Sequence, residues 1–298
     1  MARVTQNMLS SQLLTNLNRN LNRSQIYQNQ LSTGQKINKP SDDPVGISFS
    51  MRYRNELSVN DQYEKNVDNA ISWLDYSDTM MSQVGKVLDR ARELTVNASN
   101  SPNPDTALDA INSEIKQLYS QLVTIGNSQF NGKYVFNGEK TDVKPYTEAK
   151  AFDESTDNGI IKIETGVGVT MGVNITGNEV FGEPGSDNAF QILKDLSAKL
   201  TAVPVDSVAI SDMLTRFDSR IDKNLETRAD IGAKANRIEL SQDRLADINL
   251  NLTSLRSKTE DADMSEVILH MKENENIYQA SLSAGSKIIQ PSLVDFLR

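Results

Sequence analysis

Apolar and seam-compatible residues recur in alternating steps of four and three through Val59, Tyr63, Asn66, Ala70, Trp73, Ser77, Met80, Val84, Val87, Ala91 and Leu94. That rhythm keeps one seam on one face of a slightly underwound helix. At 1.5 Å per residue it predicts a helix roughly 50 Å long. A second stripe, Val67, Ile71, Leu74, Met81 and Leu88, lies one position further round, so the helix needs two partners. The same rhythm returns at Leu214, Phe217, Ile221, Asn224, Arg228, Ile231, Ala235, Ile238, Gln242, Leu245, Asn249 and Leu252, and runs to Leu255. Its polar members lower stability but help fix register. Between these runs, Ser101-Pro102-Asn103-Pro104 opens a third helix on Leu108, Ile111, Ile115, Leu118, Leu122 and Ile125, and the short link makes an antiparallel pair.

The chain ends are sealed more weakly. Leu14, Leu17, Leu21 and Leu31 form a sparse stripe with Ser24 and Gln28 between them, and Val267, Met271, Tyr278, Leu282 and Ile288 form another. Helices with so little to bury gain most of their order from packing. The two are therefore predicted to pair as a terminal layer that becomes fully ordered only when copies of the chain pack together. Leu14, Leu17, Leu21, Leu31, Met271, Tyr278, Leu282 and Ile288 are the candidate assembly residues. Punctuation is clear at both joints: Gly34 ends one helix, and Asp43 with Pro44 opens the next. Asp263 followed by Glu266 reads as a capping box. Asp42 and Asp261 complete this turn and cap signature.

From residue 133 to residue 203 the period shortens. Tyr134-Val135-Phe136, Gly159 to Glu164 and Val167 to Val173 read as strands between Asn-Gly, Thr-Gly and Gly-Asn turns, and Asp187 as the cap of a short helix through Phe190, Leu193, Leu196 and Leu200. The fold class is α+β: an elongated antiparallel helical bundle formed by both chain ends, with a small β-rich insertion. Three parts are expected: 1–43 with 261–298 as a terminal layer, 44–132 with 204–260 as a helical rod, and 133–203 as the insertion. An insertion whose stems leave and re-enter one bundle faces outward, as a decoration or as a spacer between neighbours.

Composition narrows the chemistry. The 298 residues carry a net charge of −9 and only 6% aromatic residues, which disfavours nucleic acid and anionic membranes as partners. With no cysteine and one histidine, thiol catalysis and multi-histidine metal sites drop out. No long apolar stretch predicts membrane insertion or a Sec-type leader. His270 between Glu266 and Glu273 could serve as a general base, but the trio is also ordinary surface electrostatics. Gly166, Gly168 and Gly172 lack the Lys-Ser/Thr of a phosphate loop and read as turns. The acids at 42, 43, 261 and 263 could ligate calcium, yet they stand where caps are needed. Arg3, Arg19, Arg23, Arg52 and Arg54 are interspersed with acids and suit carboxylate links between subunits. No enzyme activity, cofactor or metal is expected. A generic scaffold, or an enzyme in the insertion, stands far behind.

The segment Gln30-Leu31-Ser32-Thr33-Gly34-Gln35-Lys36-Ile37-Asn38-Lys39-Pro40-Ser41-Asp42-Asp43-Pro44-Val45-Gly46 closely resembles the amino-terminal signature of bacterial flagellins and their hook-associated relatives. Glu260-Asp261-Ala262-Asp263-Met264, Gln279-Ala280-Ser281-Leu282 and Leu293-Val294-Asp295-Phe296-Leu297-Arg298 resemble the matching carboxy-terminal signature. The opening Arg3 to Met8, Asn131 to Gly138, Val173 to Phe181 and the terminal Phe296 are more similar to the hook-filament junction branch, and flagellin is the alternative. The resemblance implies a structural subunit exported unfolded through the flagellar type III apparatus with an export chaperone. It also implies assembly as a ring of its own copies between a first hook-associated junction protein and flagellin, outside the cell. Residues near 5–31 and 264–298 would then line the inner tube.

Overall fold

Proline, glycine and the capping acids decide where the long helices begin and end. The computed structural model describes residues 6–100, 104–185, 187–202 and 206–289. Helix α1 (Gln6–Thr33) stops at Gly34, whose φ of 71° is the left-handed conformation that terminates helices. Helix α2 (Pro44–Ser99) starts on a proline, and Asp43 Oδ1 accepts the N–H groups of Val45 and Gly46, both at 3.0 Å. The remaining helices are α3 (Asp105–Gly126), α4 (Gly177–Phe181), α5 (Ala189–Leu200), α6 (Ser207–Glu260) and α7 (Met264–Ile289). Two antiparallel hairpins supply the strands: β1 (Gln129–Phe130) with β2 (Lys133–Tyr134), and β3 (Lys162–Gly166) with β4 (Val169–Gly172). Long helices from both chain ends with small hairpins between them make the architecture α+β, as the pattern predicts.

The chain divides into two compact units, Met1–Val59 with Ile248–Arg298, and Asn60–Asp247. In the second, side-chain bonds fix α2 and α6 as antiparallel. Asn60 Nδ2 donates to Leu245 O at 3.0 Å, Gln242 to Asp68 at 2.8 Å, Arg228 to Asp78 at 2.8 and 3.1 Å, and Asn224 Nδ2 to Met81 O at 3.3 Å. The buried seam of α2 is Val67, Ala70, Leu74, Ser77, Met81, Val84, Leu88, Ala91, Thr95 and Ala98, an unbroken three-four alternation. Ile210, Met213, Phe217, Arg220, Asn224, Ile231, Ile238 and Leu245 are the positions of α6 buried in this unit.

This register corrects the predicted seam by half. Ala70, Ser77, Val84 and Ala91 stay, Leu74 and Met81 from the second stripe replace Trp73 and Met80, and Leu88 is buried alongside Val87. Tyr63, Trp73, Met80, Leu214, Ile221 and Leu252 are half-buried, and Val59 is exposed. Val87 and Leu94 remain buried, as do Phe217, Ile231, Ile238 and Leu245. Trp73 is drawn off the seam by β1, where Phe130 meets its ring edge-on with centroids 5.8 Å apart.

Helix α3 buries all six of its predicted apolar positions and joins α2 through Arg90 and Glu114 at 2.7 Å. The residues between the hairpins and α5 close over an aromatic cluster. Tyr146 lies 5.4 Å from Phe181 and 4.9 Å from Phe190, and Phe136 meets Phe181 edge-on at 5.6 Å. Burial pushes the Tyr146 phenol well above its ordinary pKa. Element boundaries differ from expectation: β2 stops at Tyr134, leaving Val135 and Phe136 outside it, and β3 begins at Lys162 rather than Gly159. Val167 and Gly168 are the exposed turn between β3 and β4 rather than part of a strand, because Gly168 takes a φ of 70°. The cap of α5 is Asn188, whose Oδ1 accepts from Phe190 N at 2.9 Å, while Asp187 pairs with Lys223. The linking residues 101–103 and 203–205 lie outside the described residues.

Candidate assembly interface

In the first unit α1 and α7 pair along faces that mix apolar and polar residues. Helices α1 and α7 run antiparallel: Leu13 packs beside Gly285, Asn274 Nδ2 donates to Asn20 O at 2.8 Å, and Tyr27 stacks on His270 with ring centroids 5.8 Å apart. The contact is short of apolar volume. Val267 is buried, Leu17, Leu31, Met271 and Tyr278 are half-buried, and between them stand Asn20, Ser24, Asn274 and Ser281. The outward faces hold what the seam omits: Leu14 is 58% exposed, Leu21 41% and Leu282 47%, with Met8, Leu9, Ile26, Ile268, Leu269 and Ile277 also exposed. The side chain of Ile288 falls outside the described residues.

Scattered exposed leucines are normal, but two paired helices that leave this many large apolar side chains exposed present surface of the kind that marks a protein contact. Covering the exposed half of one such leucine gains roughly 1 kcal/mol. Association costs roughly 4–15 kcal/mol, so a partner must cover most of both faces rather than one residue.

The two joints that carry the turn signature lock together. Gln35 bridges to Asp261, Lys36 N donates to Glu260 O at 2.6 Å, and Ala262 N donates to Gly34 O at 2.9 Å. Asp42 Oδ2 accepts from Asn38 N at 3.1 Å and Lys39 N at 2.8 Å, folding the loop that leads into α2. Asp263 Oδ1 caps α7 by accepting from Ser265 N at 2.9 Å and Glu266 N at 3.3 Å. The Glu266 carboxylate lies 3.5 Å from His270, so it points along α7 and the reciprocal half of the predicted capping box is not made. Asp261 accepts from Ser257 at 2.5 Å.

At the centre of the joint is a group the sequence pattern passes over. Glu260 has a side chain only 3% exposed, takes Arg54 Nε at 2.7 Å and also accepts from the Ser50 hydroxyl. A buried carboxylate left without such partners is costly. At the start of α2, a Cβ on Gly46 would stand 2.4 Å from Asp43 Oδ2 and 2.6 Å from Cδ1 of the buried Ile37, so the turn is tight there. Heptad spacing cannot reveal Glu260, because it lies at the end of α6, where the repeat stops.

His270 is partly exposed, with Glu273 3.1 Å from Nδ1 and Glu266 3.5 Å from Nε2, and the neighbouring carboxylates, Glu273 first, hold its pKa above the ordinary value. Among the described residues no group of three or more His, Cys, Asp or Glu is placed to hold a metal, and no helix is long and apolar enough to cross a membrane. Arg52 pairs with Glu56 at 2.9 Å and Arg54 with Glu260, both within the chain rather than free for links between subunits. Arg19 and Arg23 are exposed, and Arg3 lies outside the described residues. Gly166 and Gly168 belong to a hairpin and its turn, and Gly172 ends β4.

The same segments are those by which the chain resembles known proteins. Residues 4–141 match the bacterial flagellin N-terminal helical region, and residues 214–297 match the bacterial flagellin C-terminal helical region. Flagellin of Bacillus subtilis is 28% identical over 290 residues, covering 94% of this chain and 93% of its own. Flagellar hook-associated protein 3 of Escherichia coli is 26% identical, covering 87% of this chain and 88% of its own. Among solved structures, hook-associated protein 3 of Legionella pneumophila shares the fold with a TM-score of 0.61 at 15% identity, over 70% of this chain and 98% of its own. With both terminal regions matched in order and clasped together at the Gly34 and Glu260 joints, the chain belongs to the bacterial flagellin family of flagellar structural proteins.

Proposed function

We propose that this chain is the adapter subunit that joins the hook side of a bacterial flagellum to the flagellin filament, assembled as a ring of its own copies. On this reading 1–43 with 261–298 form the terminal layer, and the outer faces of α1 and α7, with Leu14, Leu21 and Leu282, meet neighbouring copies, the first hook-associated junction protein and flagellin. Residues 44–132 with 204–260 form the helical rod, and 133–203 face outward. The subunit is exported unfolded by the type III apparatus, with a chaperone covering the apolar face of α7. It works outside the cell and catalyses nothing.

The observation that carries the junction reading is where its two distinguishing segments meet. Asn131 to Gly138 and Val173 to Phe181 resemble the junction branch, and they join in space: Gly177 N donates to Phe136 O at 2.7 Å, and Phe136 packs on Phe181. An added Cβ at Gly177 would stand 2.4 Å from the Tyr146 hydroxyl and 3.0 Å from Phe136 O, so the approach depends on glycine. The likeness to Bacillus subtilis flagellin over nearly the whole chain favours a second reading as the filament subunit.

Seeding separates them. Purified protein added to filament fragments should stay monomeric or add only a short cap if it is the junction subunit. Extension into long tubes would establish the filament reading instead. Cells lacking the gene should keep hooks and release flagellin into the medium, whereas cells retaining attached filaments would overturn the junction role.

A further inference from the structure

The chain has one histidine, and it stands in the α1–α7 contact. Its ring stacks on Tyr27 of α1, 5.8 Å between centroids with planes 26° apart, while Glu273 and Glu266 approach its two ring nitrogens at 3.1 and 3.5 Å. Each helix alone is a weak former, and polar residues such as Asn20, Ser24, Asn274 and Ser281 interrupt the apolar part of their contact, so a charged stacking pair adds to what joins them here. We infer that His270 is a pH-responsive clamp on the α1–α7 pair: charged, it holds Tyr27 and both glutamates around one cation, and neutral, it releases them.

The physical basis is direct. An imidazolium over a phenol face gains cation–π attraction that a neutral imidazole lacks. Two carboxylates beside the ring favour the charged form, and histidine is the side chain whose charge changes near neutral pH. The other charged groups nearby do not substitute for it. On α7, Lys272 is engaged with Glu275 at 2.9 Å. On α1 the charged residues are Arg19 and Arg23, both exposed, which lie about two turns and about one turn before Tyr27.

The pKa of His270 is raised above 6.5, first by the hydrogen bond to Glu273. A raised folded-state pKa means the stabilisation is complete below the unfolded value and is lost as pH rises through the folded one. The pair is therefore tighter on the acid side of neutrality and looser on the alkaline side. If the outer faces of these helices are the assembly surface, a step that rests on the proposed function, the clamp sets how well α7 is presented to a neighbouring copy.

A sole histidine makes the test clean, because its two carbon-bound ring protons, Hδ2 and Hε1, give the imidazole signals of one residue in the monomer. The titration midpoint should lie above 6.5 in the full chain and fall back toward it in a Glu266→Gln, Glu273→Gln variant. Intrinsic-rate-corrected hydrogen exchange of α7 amides should be slower at pH 6 than at pH 8, and His270→Phe, which keeps a stacking ring, should abolish that difference. Tyr27→Leu should weaken protection at pH 6 and leave pH 8 nearly unchanged. A midpoint at or below 6.5, or equal protection at both pH values in the wild type, would overturn the clamp. These readouts use the monomer, so they stand whether or not seeding supports the junction reading.

Discussion

Two glycine-to-alanine changes in the second unit should move stability in opposite directions. At Gly177 the new methyl meets the ring hydroxyl of Tyr146 at 2.4 Å, the Thr156 methyl at 2.7 Å and the backbone oxygen of Phe136 at 3.0 Å. Tyr146 and Phe136 are fully buried, so neither can swing away freely. Overpacking of this kind costs about 1–3 kcal/mol, against a helix-propensity gain of less than about 1 kcal/mol at a first-turn position. Gly177→Ala should therefore lose about 1–2 kcal/mol. At Gly232, in the middle of α6, an added Cβ meets nothing within 4 Å, and only the entropy and propensity gains remain, about 0.5–1 kcal/mol in favour of alanine. Trp73, the single tryptophan, lies in the same unit, so its fluorescence in urea reports both. With a slope near about 3 kcal/mol per molar urea, the midpoint should fall by about 0.5 M for Gly177→Ala and rise by about 0.2 M for Gly232→Ala. If Gly177→Ala rises too, the close approach of Gly177 to Phe136 is wrong, and with it the observation that carries the junction reading.

Three further outcomes follow from the same geometry. Leu74→Ala, in the seam and fully buried, should cost about 3 kcal/mol in urea unfolding, and half-buried Met80→Ala only about 1 kcal/mol; equal costs would restore the predicted register. Arg54→Ala leaves Glu260 buried with a hydroxyl partner, a loss of roughly 1–3 kcal/mol at the joint. Exchange at the Lys36 and Ala262 amides should then quicken by about tenfold, and unchanged exchange would show that the ion pair contributes nothing to the lock. Leu282→Asp, on the outer face of α7, should leave monomer unfolding within about 0.5 kcal/mol of wild type but stop incorporation into flagella; normal incorporation would remove Leu282 from the contact.

The helical rhythm made most of the fold legible, and where it misled, the reason is local. Positions seven apart on α2, such as Ala70, Ser77, Val84 and Ala91, are common to the predicted and the observed seam. The residues between them came in apolar pairs, Trp73 with Leu74, Met80 with Met81, and Val87 with Leu88, so spacing alone could not choose. The choice was made by neighbours: Leu74 enters the seam while Trp73 turns to hold Phe130 of β1. At the chain ends the sparse leucines signalled a helix pair, but not that Leu14 and Leu21 would face out while Leu13, Asn20 and Tyr27 faced α7. A weak stripe has no strong preferred face, so the polar bond from Asn274 to Asn20 and the Tyr27 stack set the rotation. The caps at Asp43 and Asp263 were readable because capping chemistry is local. Glu260 was not, because its partners Ser50 and Arg54 are some two hundred residues away in sequence and no periodicity connects them.

The central claim is a place in an assembly, and immunogold electron microscopy of isolated flagella addresses it most directly. An antibody raised against residues 133–203 should label a single narrow band where the curved hook meets the filament, with the filament beyond it bare. Gold distributed along the filament would contradict the junction role and make this chain the filament subunit.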